Sequence, residues 1–434
     1  MYSPAHGGMI GVPRLGEGGP LSTWFGLLAR IPLILLICIL PLGVAGQNIG
    51  SGVIGLMLLA LIWVQRHQLP LAEAWRLHKV YLLTVAAYMM SQVVATRFNA
   101  GNPDPSSLQY LNGHIIWAII PAAVYLGQPR LTPRDWNWLL WTLAAIALIL
   151  GGMATSQAIW GWKLQQAHVV WGFPRAQGLY SHPMSFGYVC LLFVPLACLL
   201  IQRWPRHPAV WLLAVSIVAA ILASRSRMVE AVSTLVVFFN IWTSTRGRLR
   251  VQILGAATLI TGLILVTPNP VGERFRGMLV RADVHGDYAD DREAFWQVNW
   301  QMVLERPLLG HGEGLTTKYR IPYYVAQGLG DFPRLYEAHN MFLQAAVNGG
   351  LLGLGILLAW FGNLFLAAWR ARQAGLYAGR VMLQTLTAFC LAGLTQNAFQ
   401  DSAVRYVLTL AVTAFWLALQ PLTSLGHQTL ETQH

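Results

Sequence analysis

The sequence predicts an all-α integral membrane protein with about twelve transmembrane helices and one long polar loop. Hydrophobic residues make up 55% of the 434 residues and charged residues only 11%, whereas a soluble domain carries about 25% charged residues. Apolar runs recur along most of the chain, and Lys and Arg are concentrated in alternate connections between them. A chain this apolar cannot cover a water-facing surface, which excludes a soluble fold.

The helices are predicted from the length of the apolar runs, since about 20 helical residues cross a bilayer core of about 30 Å. The runs lie near 23–43, 51–65, 79–96, 112–127, 137–157, 182–201, 208–223, 228–243, 250–267, 339–368, 378–397 and 403–420. The second is short, and the junction between 223 and 228 leaves room only for a tight turn. The predicted division is a tail over 1–21, nine helices within 22–267, a loop over 268–338, three helices within 339–421 and a tail over 422–434.

The orientation follows from the basic residues, because Lys and Arg in short loops favour the cytoplasm. Every even-numbered connection is basic, which puts both tails inside and the loop 268–338 outside. Six basic residues lie outside against this bias: Arg97, Lys163, Arg175, Arg225, Arg227 and Arg405. Arginine near a membrane interior is costly unless it has a partner, so these exceptions need a reason.

The long loop is predicted to contain an amphipathic helix that begins near Asp290 and ends before Pro307. Its apolar residues include Phe295, Trp296 and Met302, and we expect this face to rest on the membrane surface. The acidic run 287–291 fits either a helix N-terminus or a Mg²⁺ site. We favour the helix cap.

The candidate chemical residues collect at the outer edge of the predicted membrane domain. His339 stands where the polar loop becomes the tenth span; it suits a general base for a hydroxyl or an interfacial loop contact. Arg225 and Arg227 share a tight outer turn, where a planar guanidinium matches phosphate oxygens or reaches lipid headgroups. Arg292 is a third anion candidate. Weaker substrate-binding candidates are Arg175, Tyr180, His182, Arg334, Tyr336, Asn340 and Arg405.

Several classes of site are disfavoured by the motifs. The four cysteines all lie in apolar runs without metal-ligand spacing. The chain contains no zinc-protease, acyl-serine or phosphate-loop signature. The net charge of +12 is dispersed among apolar spans rather than clustered with stacking aromatic residues. It therefore favours membrane topology and an anionic lipid-linked substrate over nucleic acid, and we predict no metal and no other cofactor.

Five sequence segments resemble the O-antigen ligase and polymerase superfamily. Three follow one another near the tenth span: Glu305-Arg306-Pro307-Leu308-Leu309-Gly310-His311-Gly312, His339-Asn340-Met341-Phe342-Leu343 and Asn348-Gly349-Gly350-Leu351-Leu352-Gly353. The other two are Gly178-Leu179-Tyr180-Ser181-His182-Pro183 and Ser224-Arg225-Ser226-Arg227. The resemblance covers most of the chain from about the fifth span onward.

The resemblance implies a GT-C-like fold and an inverting, metal-independent glycosyltransferase of the bacterial inner membrane, with its active site on the periplasmic face. Ligases of this family move a glycan from undecaprenyl pyrophosphate to lipid A–core in lipopolysaccharide biosynthesis. Carried over, the resemblance implies that His339 is the general base and that Arg225 and Arg292 stabilise the pyrophosphate. Arg227 competes with Arg225 for that role.

Three other functions remain open from the sequence. An O-antigen polymerase would lengthen the donor glycan, and a protein O-oligosaccharyltransferase would transfer it to a protein hydroxyl. Both need the same base, anion site and cavity open to lipid. A transporter of lipid-linked sugars would instead place charges within the spans and break helices in paired positions. Here charge collects at the outer edge, which favours catalysis.

Overall fold

The structure is a computed structural model, and its described part is almost entirely helical. It describes residues 71–100, 133–162, 169–170, 173–180, 182–244, 247–267, 289–313, 316–326, 337–399 and 401–431, with scattered positions between 35 and 63 and residue 121. The predicted all-α class is confirmed for this part, and its long apolar helices are consistent with a membrane protein. The count of twelve spans stays a prediction, because the first, second and fourth spans lie largely or wholly outside the described residues.

Eleven helices and one short hairpin make up the described elements. The helices are α1 (Leu71–Ala100), α2 (Pro133–Trp160), α3 (Pro183–Arg203), α4 (Pro208–Ser224), α5 (Arg227–Ser244), α6 (Gly247–Val266), α7 (Ala289–Glu305), α8 (Thr316–Ala326), α9 (Met341–Gln373), α10 (Tyr377–Gly393) and α11 (Ser402–Glu431). The hairpin pairs β1 (Val169–Val170) antiparallel with β2 (Phe173–Pro174). α11 continues beyond residue 421, where we predicted a tail.

Among the described helices, four are long and apolar enough to cross a membrane. They are Asn137–Trp160, Pro183–Arg203, Met341–Gln373 and Ser402–Leu419. Pro208–Ser224 is a shorter apolar helix, and it is joined to α5 by Arg225 and Ser226 alone, as the tight junction predicted. Proline at the first turn of α3 and α4 suits a helix start, because its missing N–H has no intrahelical acceptor there.

The helices pack so that their connections alternate between two ends of a bundle. α3 lies against α4, α5 and α10, while α9 lies against α1, α7 and α10. The Tyr188 hydroxyl near the start of α3 donates to the Ala392 carbonyl near the end of α10. Met341, at the start of α9, would contact a Cβ on Gly393. We call this the His339 end of the bundle and the opposite end the Arg380 end.

The amphipathic helix forms as α7, but its predicted orientation is wrong. Phe295, Val298 and Met302 are buried against α8 and α9 rather than facing a membrane surface. The opposite strip, with Trp296 and Trp300, is the exposed one. Both strips are apolar, so the sequence pattern alone did not show which one the rest of the protein covers.

Candidate active site

His339 has a backbone conformation that residues other than glycine rarely adopt. Its φ is 45°, and among the described residues the only other non-glycine residue with positive φ is Arg225, at 50°. Such conformations cost free energy and persist only where the surrounding structure holds them. The two strained residues are the histidine and one of the arginines that the sequence singles out.

The side chain of His339 is oriented by the connection between α10 and α11. Its Nδ1 lies 3.0 Å from Oε1 of Gln396, and its ring lies 5.4 Å from the ring of Phe295 in α7. Because a carbonyl oxygen only accepts, Nδ1 carries the proton and donates it to Gln396. The Nε2 atom then holds the lone pair, which is the tautomer that a general base needs.

A second contact, two residues earlier, ties the same loop to the same connection. The Asn397 amide donates from Nδ2 to Oε2 of Glu337 at 2.7 Å. Burial raises the pKa of Glu337; the Asn397 hydrogen bond and the Arg320 charge oppose the rise, and the Asp401 charge adds to it. Glu337 is thus bonded to Asn397, and His339 to Gln396. These two neighbouring hydrogen bonds fix the loop at the start of α9.

The base of this loop rests on a buried polar cluster. Oε1 of Gln344 accepts from the Ala338 backbone N–H at 2.9 Å and from Nη2 of Arg320 at 3.3 Å. Nε2 of Gln344 donates to Oδ1 of Asn348 at 2.7 Å. Arg320 is only 1% exposed. These contacts join α8 to the first turns of α9 directly below His339.

α9 is interrupted at Gly350, and the segment 307–312 supplies hydrogen-bond partners for the backbone groups at the interruption. Gly350 has φ 65° and ψ −167°, so the helix is interrupted there. The Leu351 N–H donates to the Pro307 carbonyl at 2.7 Å. In return, the N–H groups of His311 and Gly312 donate to carbonyls of α9 at 2.8 and 2.9 Å. The broken helix keeps its backbone hydrogen bonds paired, as a membrane helix must.

This junction explains two of the segments quoted in the sequence analysis. A Cβ on Gly350 would lie 2.3 Å from the backbone carbonyl of Leu308, and one on Gly310 would lie 2.5 Å from the Gly350 nitrogen. Each glycine also has positive φ. The two segments need glycine because their backbones touch each other.

Arg225 lies at the turn between α4 and α5, and a second arginine reaches that turn from another part of the chain. Arg225 forms the C-cap of α4 in the left-handed conformation. Nε of Arg175 donates to the Ser224 carbonyl at 3.1 Å, and the Ala176 N–H donates to the Ala223 carbonyl at 3.0 Å. Burial lowers the pKa of Arg225, and the nearby Glu230 charge opposes the shift. Arg175, Arg225 and Arg227 therefore form one basic group.

The basic group and His339 lie at the same end of the bundle, with the start of α3 between them. A Cβ on Gly187 would lie 3.0 Å from the Ser224 hydroxyl, while the adjacent Tyr188 contacts Ala392. Arg292 is three residues before Phe295 in α7, the residue that touches His339. Its side chain lies outside the described residues.

The chain was compared with protein-family models. Residues 209–358 match the family described as O-antigen ligase. This match supports membership of the O-antigen ligase superfamily. The match runs from α4 to the middle of α9 and contains Arg225, Arg292 and His339. No curated protein sequence matches the chain significantly. The superfamily is one of membrane glycosyltransferase-like enzymes, whose partners are in general lipid-linked glycans and lipid A–core.

The weaker candidates that the structure describes have packing, capping or electrostatic contacts. The Nδ1 atom of His182 accepts from the Met184 N–H at 3.1 Å and caps α3. Oδ1 of Asn340 accepts from the first N–H groups of α9. Tyr180 is 1% exposed and packs on Phe186. Arg405 lies within electrostatic range of Glu313, Asp401 and Tyr88. Arg334 and Tyr336 lie outside the described residues.

Sequence reasoning missed Gln396, Asn397 and the role of Glu337. The first two follow α10 in the run Thr395-Gln396-Asn397, which is polar but uncharged at the end of an apolar span. That run was the available signal. Within the described ranges, no group of three or more His, Cys, Asp or Glu side chains is placed to hold a metal ion.

Proposed function

We propose that the protein is an O-antigen ligase that transfers a glycan from undecaprenyl pyrophosphate to lipid A–core. It acts in the inner membrane, with its site on the periplasmic face, and inverts the anomeric centre without a metal ion. His339 is the general base, and Arg225, Arg292 and Arg227 stabilise the pyrophosphate. The observation that carries the proposal is the hydrogen bond from His339 Nδ1 to Gln396, because it leaves Nε2 in the basic form.

In the proposed step, a hydroxyl of the acceptor sugar attacks the anomeric carbon from the face opposite pyrophosphate. The new C–O bond forms as the bond from that carbon to the pyrophosphate oxygen breaks, and the electron pair leaves with the pyrophosphate. His339 Nε2 takes the hydroxyl proton. The positive charge that results on the ring is held beside the Gln396 carbonyl oxygen.

The arginines supply the charge that the leaving group requires. A guanidinium stays protonated in proteins and presents donors matched to phosphate oxygens. Partial burial of Arg225 strengthens its attraction for an anion, because the surrounding dielectric is lower than in water. Arg175 holds the end of α4 beside it through the Ser224 carbonyl, so the turn is fixed before a donor binds.

The test is glycan transfer by purified protein in lipid, with undecaprenyl-pyrophosphate glycan, lipid A–core and EDTA. We expect transfer by the unchanged protein and loss of at least about 100-fold for His339→Ala, since a general base contributes about 10² to 10⁴. The matched control is His207→Ala, which removes a capping histidine from α4 at the Arg380 end and should leave transfer unchanged.

The same assay separates the rival functions. Lengthening of the donor glycan without lipid A–core would indicate a polymerase, and transfer to an added protein acceptor would indicate a protein O-oligosaccharyltransferase. Movement of the donor across the bilayer without bond formation would indicate a transporter. Normal transfer by His339→Ala would remove His339 from the mechanism, and transfer that depends on a divalent ion would contradict the metal-independent scheme.

A further inference from the structure

At the Arg380 end, one arginine is held between three helices by neutral groups. Nη1 of Arg380 donates to Gln202 at 3.4 Å, and Nη2 donates to Asn240 at 3.1 Å and Thr243 at 2.6 Å, with Ser244 at 3.2 Å. These acceptors belong to α3 and α5, while Arg380 lies in the first turn of α10. None of them carries a negative charge to balance the guanidinium.

Two further arginines surround the same position. A Cβ on Gly379, the residue before Arg380, would lie 2.3 Å from the backbone nitrogen of Arg372, and Tyr377 lies three residues before Arg380 in α10. The guanidinium carbon of Arg203 lies 4.4 Å from the centre of the Tyr377 ring. Arg203, Arg372 and Tyr377 are exposed. We call the group formed by Arg203, Arg372, Tyr377 and Arg380 the Arg380 groove.

The cations of the Arg380 groove repel one another. In the described ranges of the chain, neither Arg203 nor Arg372 nor Arg380 forms an ion pair with a carboxylate. Clustered like charges that are partly withdrawn from water destabilise a fold unless an anion neutralises them. A bound anion would supply the charge that the described part of the chain does not.

Aromatic side chains show what surrounds the groove. Trp204, Trp242 and Trp369 are each about half exposed near the helix ends of this side, and Arg250 and Arg372 lie against the Trp242 and Trp369 rings. Exposed tryptophans beside basic residues mark the level of lipid headgroups. By this criterion, the Arg380 groove lies at the level of phospholipid phosphates.

We propose that the Arg380 groove binds the headgroup phosphate of an anionic phospholipid. The exposed guanidinium groups of Arg203 and Arg372 donate to the phosphate oxygens, and Arg380 adds its charge from behind. The exposed hydroxyls of Thr243 and Ser244 line the same side. The acyl chains lie along the apolar surface of α3 and α5. The site is at the opposite end from His339 and does not depend on the proposed function.

The test is lipid retention measured by native mass spectrometry on the full chain in detergent. Phosphatidylglycerol and phosphatidylcholine are added separately, and inorganic phosphate is added in a third sample. We expect retention of phosphatidylglycerol, with affinity about fivefold lower for Arg372→Gln and for Arg203→Gln, because a basic residue near a lipid surface contributes about that factor. Arg206→Gln is the matched control, since it removes one exposed charge in the nearby turn between α3 and α4.

Several outcomes would overturn the proposal. Equal retention of phosphatidylcholine would show that charge is not recognised, and displacement of the lipid by inorganic phosphate at equal concentration would show an anion site without lipid preference. Equal loss in Arg206→Gln would show a diffuse surface effect. The Arg203 and Arg372 variants keep the test valid even if Arg380→Gln fails to fold, because their side chains are exposed.

Discussion

The two ends of the helix bundle are both rich in arginine, but they balance that charge differently. At the His339 end, arginines lie within electrostatic range of carboxylates: Arg225 with Glu230, Arg320 with Glu337, and Arg405 with Glu313 and Asp401. At the Arg380 end, the arginine contacts are amides, hydroxyls and aromatic rings. The described arginines at the first end are thus balanced by carboxylates, whereas those at the second lie among neutral groups.

The second difference between the two ends is the strain in the backbone. The two strained residues, Arg225 and His339, and the repaired break at Gly350 all belong to the His339 end. Strain of this kind persists where surrounding contacts determine it. The comparison therefore predicts that small backbone changes damage the His339 end most.

The largest expected effect is from Gly350→Ala. Its Cβ would lie 2.3 Å from the Leu308 carbonyl, at a positive φ, so α9 and the segment 307–312 would separate. We expect a loss of more than about 3 kcal/mol of stability, measured as a fall in thermal midpoint and in yield of folded protein. Gly355→Ala is the control, because its Cβ meets no atom within 4 Å. Equal behaviour of the two variants would show that the junction is not needed.

Gln396 provides the next test, because it acts on the reaction through His339. Gln396→Ala removes the acceptor that fixes the Nδ1–H tautomer, and we expect kcat to fall about 10- to 100-fold with little change in KM. Gln396→Glu places a carboxylate beside the ring and stabilises the imidazolium. The pH at which activity increases should then be about 1 unit higher than in the unchanged protein.

A purely structural role for Gln396 would give a different pattern. Both variants would lose thermal stability, and neither would move the pH profile. The control is Gln373→Ala, since Gln373 is exposed at the end of α9 on the Arg380 side. An unchanged pH profile in Gln396→Glu, with normal folding, would remove Gln396 as a positioning residue.

The sequence predicted the helices and the main candidates because these depend on local patterns. Apolar length gave α3, α4 and α9, and the tight junction gave the turn at Arg225. The partners of His339 were not accessible, since Gln396 lies 57 residues further along the chain and no local pattern pairs them. The predicted orientation of α7 was also wrong, because packing against α8 and α9 decides which of its two apolar strips is buried.

The smallest expected effect concerns Glu337, whose ionisation distinguishes the His339 end from the carboxylate-poor Arg380 groove. Burial raises the pKa of Glu337 above its ordinary value of 4.5 in the folded protein. The folded state therefore binds the proton more tightly than the unfolded state, and this contribution to stability is present below pH 4.5. It is lost as pH rises through the folded-state pKa.

Glu337→Gln removes this titration while keeping an oxygen that accepts from Asn397. Between acid and neutral pH, we expect the unchanged protein to lose stability relative to the variant, measured as thermal midpoint against pH. This difference in stability between the two proteins should be small, because Arg320 and Asn397 stabilise the charged carboxylate of Glu337. The opposite result would be a variant that becomes less stable than the unchanged protein as pH rises. It would show that the attraction of Arg320 for the Glu337 carboxylate exceeds the cost of burying that charge. The charge of Glu337 would then stabilise the His339 end.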